Sequence, residues 1–333
     1  MNLLIVTQSL ESKACNSSML LMTEDVILNI AAIGECMLEL SPTLDEGYRL
    51  SFGGDTLNTA IYLARCGGTV DYVTALGDDV FSDKMIMAWR AEGVGTNYVL
   101  RKKHSLPGLY IIQNDGRGER SFHYWRNQAP AKSVFDDSPE LFEALLDYNF
   151  LYLTGITLSL YSESTLCRLW DFLDRYRSNG GKVVFDINYR QRNWSSPSEA
   201  LAIIKFMMKK TNIALPSYDD EITLYGLHSK QECLDRYLRA GAEEVVIKDG
   251  INGCLLHSDG RSIDIAVPKV LSAVDTTAAG DSFNGGYLAA RLNGESPEAS
   301  VTAGQQCAAL VIQYPGAIIP LEVFNKGRDS YVY

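Results

Sequence analysis

Residues 275–294 read DTTAAGDSFNGGYLAARLNG. Two carboxylates, Asp275 and Asp281, bracket the small residues Ala278, Ala279 and Gly280, and an apolar helical pattern follows. The first amides of a helix have no intrahelical acceptor, and together with the helix dipole they attract anions. Small side chains leave that backbone open. A carboxylate next to it can take the proton from a hydroxyl group as the hydroxyl attacks phosphorus. The chemistry these types and spacings suit is phosphoryl transfer, with Asp281 as general base and Ala278, Ala279 and Gly280 as an anion hole. A plain helix cap is the other reading of the same residues.

Three further clusters carry polar groups at the ends of apolar runs. In FGGDTLN (Phe52–Asn58), Gly53 and Gly54 allow backbone to approach a ligand, and Asp55 and Asn58 bring hydrogen-bonding groups to a helix start. A glycine turn with an aspartate cap reads equally from these residues. In DINYR, Asn188 and Arg190 follow an apolar strand and point toward a cleft. An arginine there can hold a carboxylate or phosphate through two parallel bonds, or stand in solvent. In KDGING, Lys248 to Gly253, a glycine-spaced turn passes near a nucleotide or simply closes a hairpin.

The elements that must position these groups alternate in type. Strand-like runs are expected at Val26–Gly34, Val70–Gly77, Tyr98–Lys102, Phe150–Gly155, Lys182–Asn188, Asn212–Leu215, Glu244–Lys248 and Cys254–Ser258. Helical patterns lie at Asp55–Gly67, Phe81–Glu92, Ser162–Asn179, Pro197–Lys209, Lys230–Ala240, Gly280–Leu292 and Pro297–Tyr314. Repeated βα units predict a mainly parallel sheet with helices on both faces, and ligands at the carboxyl ends of its strands. One stretch differs: GLYIIQNDGRGERSFHYWRN, Gly108 to Asn127, is a hairpin pattern. Tyr110 lies on its first arm, and Phe122, Tyr124 and Arg126 share a face of the second by the period-two rule. This hairpin is expected to belong to a small β lid built from about residues 40–52 and 106–127. The expected division is an extension at 1–25, one catalytic domain at 26–325 and a tail at 326–333.

The 333 residues are 46% hydrophobic and 21% charged, ordinary for a globular enzyme, and carry a net charge of −11. Such a surface suits neither nucleic acid nor an anionic membrane. No apolar run reaches the ~20 residues that span a bilayer. Seven cysteines without CxxC spacing read as reduced thiols of a cytoplasmic protein. The four histidines, His104, His123, His228 and His257, lack ligand spacing and receive no metal or catalytic role. Neither GxxxxGK[ST] nor GxGxxG is present.

From about Val26 to Leu321 the chain resembles the ribokinase/PfkB sugar kinases. DTTAAGDSF is similar to their C-terminal motif and GGDTLNTAIYLARCG to their N-terminal one. FGGDTLN, LPGLY, YWRN, NYR after a VVFD strand, and VIQYPGAIIP resemble the branch of the family that acts on 2-keto-3-deoxygluconate. The resemblance implies a ribokinase-like three-layer α/β fold with a β lid, and ATP-dependent phosphorylation of the sugar acid at its C6 hydroxyl. It implies that Asp281 is the base, and that Gly53, Gly54, Asp55, Asn58, Tyr110, Tyr124, Arg126, Asn188 and Arg190 hold the sugar acid. Asn188, Arg190, Ser217, Lys248, Gly250, Gly253, Ala278 and Gly280 would border ATP, with Mg2+ on the phosphates. It also implies a homodimer joined through the lid. Two positions depart from the family pattern. Ala278 stands where the family has the first glycine of GAGD, and its methyl is expected to narrow the approach of phosphate. Ser217-Tyr-Asp-Asp220 stands in place of Asn-x-x-Glu, so that Asp220 would reach Mg2+ through water.

Overall fold

The computed structural model describes residues 28–43, 45, 47–114, 120–267 and 273–329. The expected extension at 1–25 lies outside these residues. Thirteen strands are found among them. They are β1 (Asn29–Ile33), β2 (Met37–Pro42), β3 (Tyr48–Gly53), β4 (Thr69–Gly77), β5 (Val99–Lys102), β6 (Leu109–Asn114), β7 (Arg120–Trp125), β8 (Phe150–Thr154), β9 (Lys182–Asp186), β10 (Ile213–Ala214), β11 (Glu244–Lys248), β12 (Cys254–Ser258) and β13 (Arg261–Ile265).

Nine of them make one sheet in the order β13-β12-β11-β10-β9-β8-β1-β4-β5. From β5 to β11 every pairing is parallel, and β12 and β13 add an antiparallel edge. Its central strands are short apolar runs such as NIAAI, FLYLT and KVVFD, as expected when both faces are covered by helices. Alternation then divides the core: Val183 and Phe185 pack on one face with Leu153 and Leu169, and Val184 on the other with Tyr152 and Ile61. The lid is a separate four-stranded sheet, β3-β2-β6-β7. It begins at Met37 and ends at Trp125, so it reaches nearer the main sheet than the expected 40–52 and 106–127.

Helix starts fall into two groups. Ser162, Ser196, Ser229 and Ser296 each accept a backbone amide at the start of the helices Glu163–Ser178, Pro197–Met208, Lys230–Ala240 and Pro297–Val311. The helices Asp55–Arg65 and Ala279–Leu292 begin instead at Gly54 and Ala278, with no side-chain cap. These two starts carry the motifs singled out above. The helices pack against each other very closely: a Cβ on Gly285 would lie 2.8 Å from the Thr59 carbonyl oxygen.

Predicted boundaries shift by one to three residues where helices fray. The elements that were not predicted include the helix Tyr218–Tyr225, the mostly exposed strand β13, the short helices Val134–Asp137, Leu141–Ala144 and Gly155–Leu158, and the helix Leu321–Asp329, which crosses the expected domain end at 325. None of the described helices is long and apolar enough to cross a membrane. The six described cysteines are unpaired.

Candidate active site

A cavity of about 780 Å³ opens at the carboxyl ends of β9, β10 and β11, beside the start of the helix Ala279–Leu292. Asn188, Arg190, Ser217, Asp220, Lys248, Gly250, Gly253, Ala279, Gly280 and Asp281 all line it. The turn Lys248–Gly253 is a hairpin link between β11 and β12 and a wall of this cavity at once. Asp55 and Asn58 join from behind by direct hydrogen bonds.

Asp281 sits in the first turn of its helix, and Asn58 Nδ2 donates to its Oδ2 at 2.8 Å. Burial raises the Asp281 carboxyl to about 8, helped by the negative charges of Asp55 and Asp186. That places a carboxylate near neutrality, where a general base works best. Asn58 Oδ1 is buried without a hydrogen-bond partner, an acceptor of the kind a substrate hydroxyl satisfies. The other aspartate of the motif has a structural task. Asp275 accepts from the Thr277 amide at 3.0 Å and the Gly316 amide at 2.8 Å, and so ties the loop to the YPG turn.

The anion hole is narrower than the sequence suggests. The first helical bond runs from the Ser282 amide to the Ala278 carbonyl, 2.8 Å, while the Ala279 amide turns back to the Thr276 carbonyl, 3.1 Å. Among the described residues no acceptor meets the amides of Gly280 and Asp281. Ala278 is buried and absent from the cavity wall, so its methyl does not narrow the approach as expected. A Cβ on Gly280 would meet only Lys248 Nζ, at 3.7 Å. Among the described residues nothing else lies within 4 Å of that position. Gly53 and Gly54 are the reverse. A Cβ on Gly53 would fall 2.4 Å from the Tyr110 hydroxyl, and one on Gly54 2.2 Å from the Glu35 carbonyl oxygen. Packing accounts for both, in place of the expected ligand approach. Gly54 also takes the cap position that the aspartate reading gave to Asp55.

Beneath the cavity runs a chain of buried polar groups. Asp55 accepts from Thr154 Oγ1 at 2.6 Å and from Asn188 Nδ2 at 2.8 Å. The Asn188 amide donates to Asp186, with Asn188 held at φ +30°. Asp186 Oδ2 accepts from Lys248 Nζ at 2.8 Å and from Asn284 Nδ2 at 2.7 Å. Lys248 is thus buried and committed under Gly280, a positioning group more than a nucleotide contact. Asn284 reaches Tyr152 as well and was not singled out in the sequence, since it lies in the helical run after Asp281.

The lid contributes a stack of rings, Tyr110, Phe122 and Tyr124, with centroids 5.7–6.4 Å apart. Tyr110 donates to Glu39, and Arg126, one residue past β7, pairs with the buried Glu35. Arg190 pairs with Asp220 at 2.9 Å. Neither arginine expected to meet the sugar acid therefore stands unpaired, and the Asp220 expected at Mg2+ already has a cation. The guanidinium of Arg192, which the sequence did not single out, lies 4.4 Å from the Tyr124 ring centroid and donates to the Tyr124 hydroxyl. No carboxylate among the described residues pairs with it. Ile251, Ala308, Ala309 and Ile312 give the cavity an apolar wall; Ile251 belongs to KDGING and Ile312 to VIQYPGAIIP, while Ala308 and Ala309 fall in no motif singled out in the sequence.

The sequence matches the pfkB family of carbohydrate kinases over residues 28–323. It is 46% identical over 303 residues to the 2-dehydro-3-deoxygluconokinase of Escherichia coli K12, covering 88% of this chain and 97% of that one. The crystal structure of a PfkB protein from Polaromonas sp. JS666, 26% identical, superposes with a TM-score of 0.76 over 90% of this chain and 99% of that one. The same fold is seen in a ribokinase II from E. coli in complex with ATP and Mg2+, 20% identical, with a TM-score of 0.76 over 91% and 99% of the two chains. The α/β architecture, a large mainly parallel sheet flanked by helices with a smaller second sheet, is the shared frame, as the ribokinase resemblance implied. The chain belongs to the pfkB family of carbohydrate kinases.

Proposed function

We propose that this protein phosphorylates 2-keto-3-deoxy-D-gluconate at its C6 hydroxyl with ATP, giving 2-keto-3-deoxy-6-phosphogluconate and ADP. The observation that carries the reading is Asp281: a carboxyl group raised toward neutrality, gripped on one oxygen by Asn58, next to two helix-start amides that meet no acceptor among the described residues. The substrate follows from the 46% identity to a kinase of that name across nearly its whole length. In the reaction the C6 oxygen bonds to the γ-phosphorus and its proton passes to Asp281. The bond from the γ-phosphorus to the β–γ bridging oxygen breaks, and ADP leaves. The amides of Gly280 and Asp281 hold the phosphoryl oxygens as charge moves across them.

The sugar acid is held by Asp55, Asn58 and Asn188 below and by the lid tyrosines Tyr110 and Tyr124 above. Its carboxylate meets Arg192, and Arg126 and Arg190 add positive charge once Glu35 and Asp220 share them. Arg190, Ser217, Gly250 and Gly253 border the nucleotide, whose base rests on the apolar wall at Ile312. Asp220 lines the cavity but is already paired, a donor set that fits an ion keeping most of its water. Mg2+ on the phosphates, reached by Asp220 through water, would neutralise their charge. Tyr48 and Leu50 on β3 and Trp125 at the end of β7 leave the lid's outer strands apolar and exposed, which supports pairing of two copies through the lid.

A coupled ADP-release assay over a panel of sugar acids and sugars tests the reading. Turnover should be fastest on 2-keto-3-deoxygluconate. Faster turnover on fructose or ribose would overturn the substrate, and no ADP release on any member would overturn the activity.

A further inference from the structure

Spacing along the chain gives no histidine a metal role, yet in space His228 meets a carboxylate and a thiol. Glu221 comes from the helix Tyr218–Tyr225, His228 from the loop after it, and Cys233 from the helix Lys230–Ala240. One ligand atom from each lies within 4.8 Å of the others. Glu221 and Cys233 are fully buried, and His228 is half-buried with 8% of its side chain exposed.

The imidazole is oriented. Its Nδ1 lies 2.6 Å from the Gly226 carbonyl oxygen, which can only accept, so Nδ1 carries the proton. Nε2 is then the lone-pair nitrogen. It is buried without a hydrogen-bond partner among the described residues, and Glu221 Oε2 lies 3.9 Å from it. A lone pair facing a carboxylate is repulsive until a proton or a metal ion sits between them. Arg236 and Tyr237 already donate to Glu221, so a second proton there gains little. A metal ion gains the thiol as well.

We propose that Glu221, His228 and Cys233 form a Zn2+ site that pins the helix Tyr218–Tyr225 to the helix Lys230–Ala240, behind the nucleotide wall of the cavity. Imidazole, thiolate and carboxylate are the ligand types of zinc, whereas Mg2+ and Ca2+ take oxygen. Bonds of ~2.0–2.3 Å in a tetrahedron set ligand atoms about 3.3–3.8 Å apart, so the site closes by about 1 Å. Binding releases the thiol proton to solvent. Burial and the Glu221 charge hold the Cys233 thiol up without metal, and a coordinated thiol is deprotonated outright. Tyr237 and Arg236 supply the outer hydrogen bonds that orient the carboxylate. Asp220 and Glu221 are neighbours with opposite tasks, one on the cavity wall and one in this cluster, so the ion stiffens the wall that carries Asp220.

The test uses the full chain, stripped with chelator and free of nucleotide. Reloaded with excess Zn2+, it should retain one equivalent after gel filtration by elemental analysis, and Zn2+ should raise Tm. With Co2+ it should show a thiolate-to-metal charge-transfer band. Cys233→Ser and His228→Gln should lose the band and bind zinc at least ~100-fold more weakly, since even outer partners of zinc ligands matter by ~10–100-fold. Cys167→Ser, at an exposed position, should behave as wild type. If the variants fail to fold, the cobalt band of the wild type decides alone. Absence of that band, zinc held equally by both variants, or a His228 ring resonance that titrates with pH and ignores Zn2+ would each overturn the site.

Discussion

Two stretches of this chain look alike on paper. Gly53-Gly54-Asp55 and Ala279-Gly280-Asp281 each place small residues before an aspartate at the start of an uncapped helix. In space they do different things. The first is packed: the bare positions of Gly53 and Gly54 are filled by Tyr110 and Glu35, and Asp55 is bonded to Thr154 and Asn188. The second is open: among the described residues Gly280 has only Lys248 at van der Waals distance, and Asp281, held at one oxygen by Asn58, lines the cavity. A glycine before an aspartate thus signals either close packing or close approach of a ligand. What fills the missing Cβ position tells them apart.

Exchange of the two aspartates gives the largest expected contrast. Asp281→Asn keeps the bulk and loses the base, so kcat should fall by ~10²–10⁴-fold while ATP affinity, measured by calorimetry, stays near wild type. Asp55→Asn should act mainly on KM for the sugar acid. Equal losses of kcat in both variants would erase the distinction between a reacting and a holding carboxylate.

Stability separates the regions next. The packed motif stands at the root of the lid beside the Glu35–Arg126 pair. Arg126→Ala strands a buried carboxylate and should cost up to about 3–5 kcal/mol in denaturant unfolding, as breaking buried pairs does. A replacement that raises KM without loss of stability would show that Glu35 does not depend on this arginine.

The glycines give a smaller and cleaner contrast. Gly54→Ala must push against a carbonyl oxygen 2.2 Å away and should destabilise by ~1–3 kcal/mol or more. Gly280→Ala has room and improves helix propensity, so Tm should hold or rise. Its kcat should drop by at least ~10-fold, because a methyl would stand where phosphate approaches the amides. A destabilised Gly280→Ala with unimpaired turnover would reverse the assignment of the two motifs.

How much of this was legible depended on how local the signal was. The βα order follows from apolar runs and their stops, which are properties of neighbouring residues. β13 was missed because RSIDI is largely exposed, and the helix Tyr218–Tyr225 because its eight residues carry three acids in the first turn and no apolar face long enough to read. Asp281, Asn58 and Asn188 were legible as polar groups at element ends. Their pairing was not, because Asn58 and Asp281 meet across 223 positions. Glu35 and Glu39 follow β1 without any motif, yet they decide the state of Arg126 and Tyr110. Charge types can be listed from a sequence, but whether a cation is free to meet a substrate is a fact of the fold.

The last contrast lies in the pH dependence. Asp281 is raised to about 8, first by burial and then by the charge of Asp55, so in the free enzyme it is largely protonated below that pH. A base must be ionised to act, and kcat/KM reports the free enzyme. kcat/KM should therefore fall roughly tenfold per unit as pH drops below about 8, and level off above it. Asp55→Asn removes one of the two leading causes and leaves burial in place. Its acid limb should move to lower pH, by about one unit or less, yet stay above the ordinary carboxylate range near ~4. An unmoved limb would mean that burial alone sets the poise of Asp281 and that the packed motif does not act on the open one through its charge. A limb at the ordinary carboxylate value in the wild type would mean that the group which titrates in the reaction lies elsewhere.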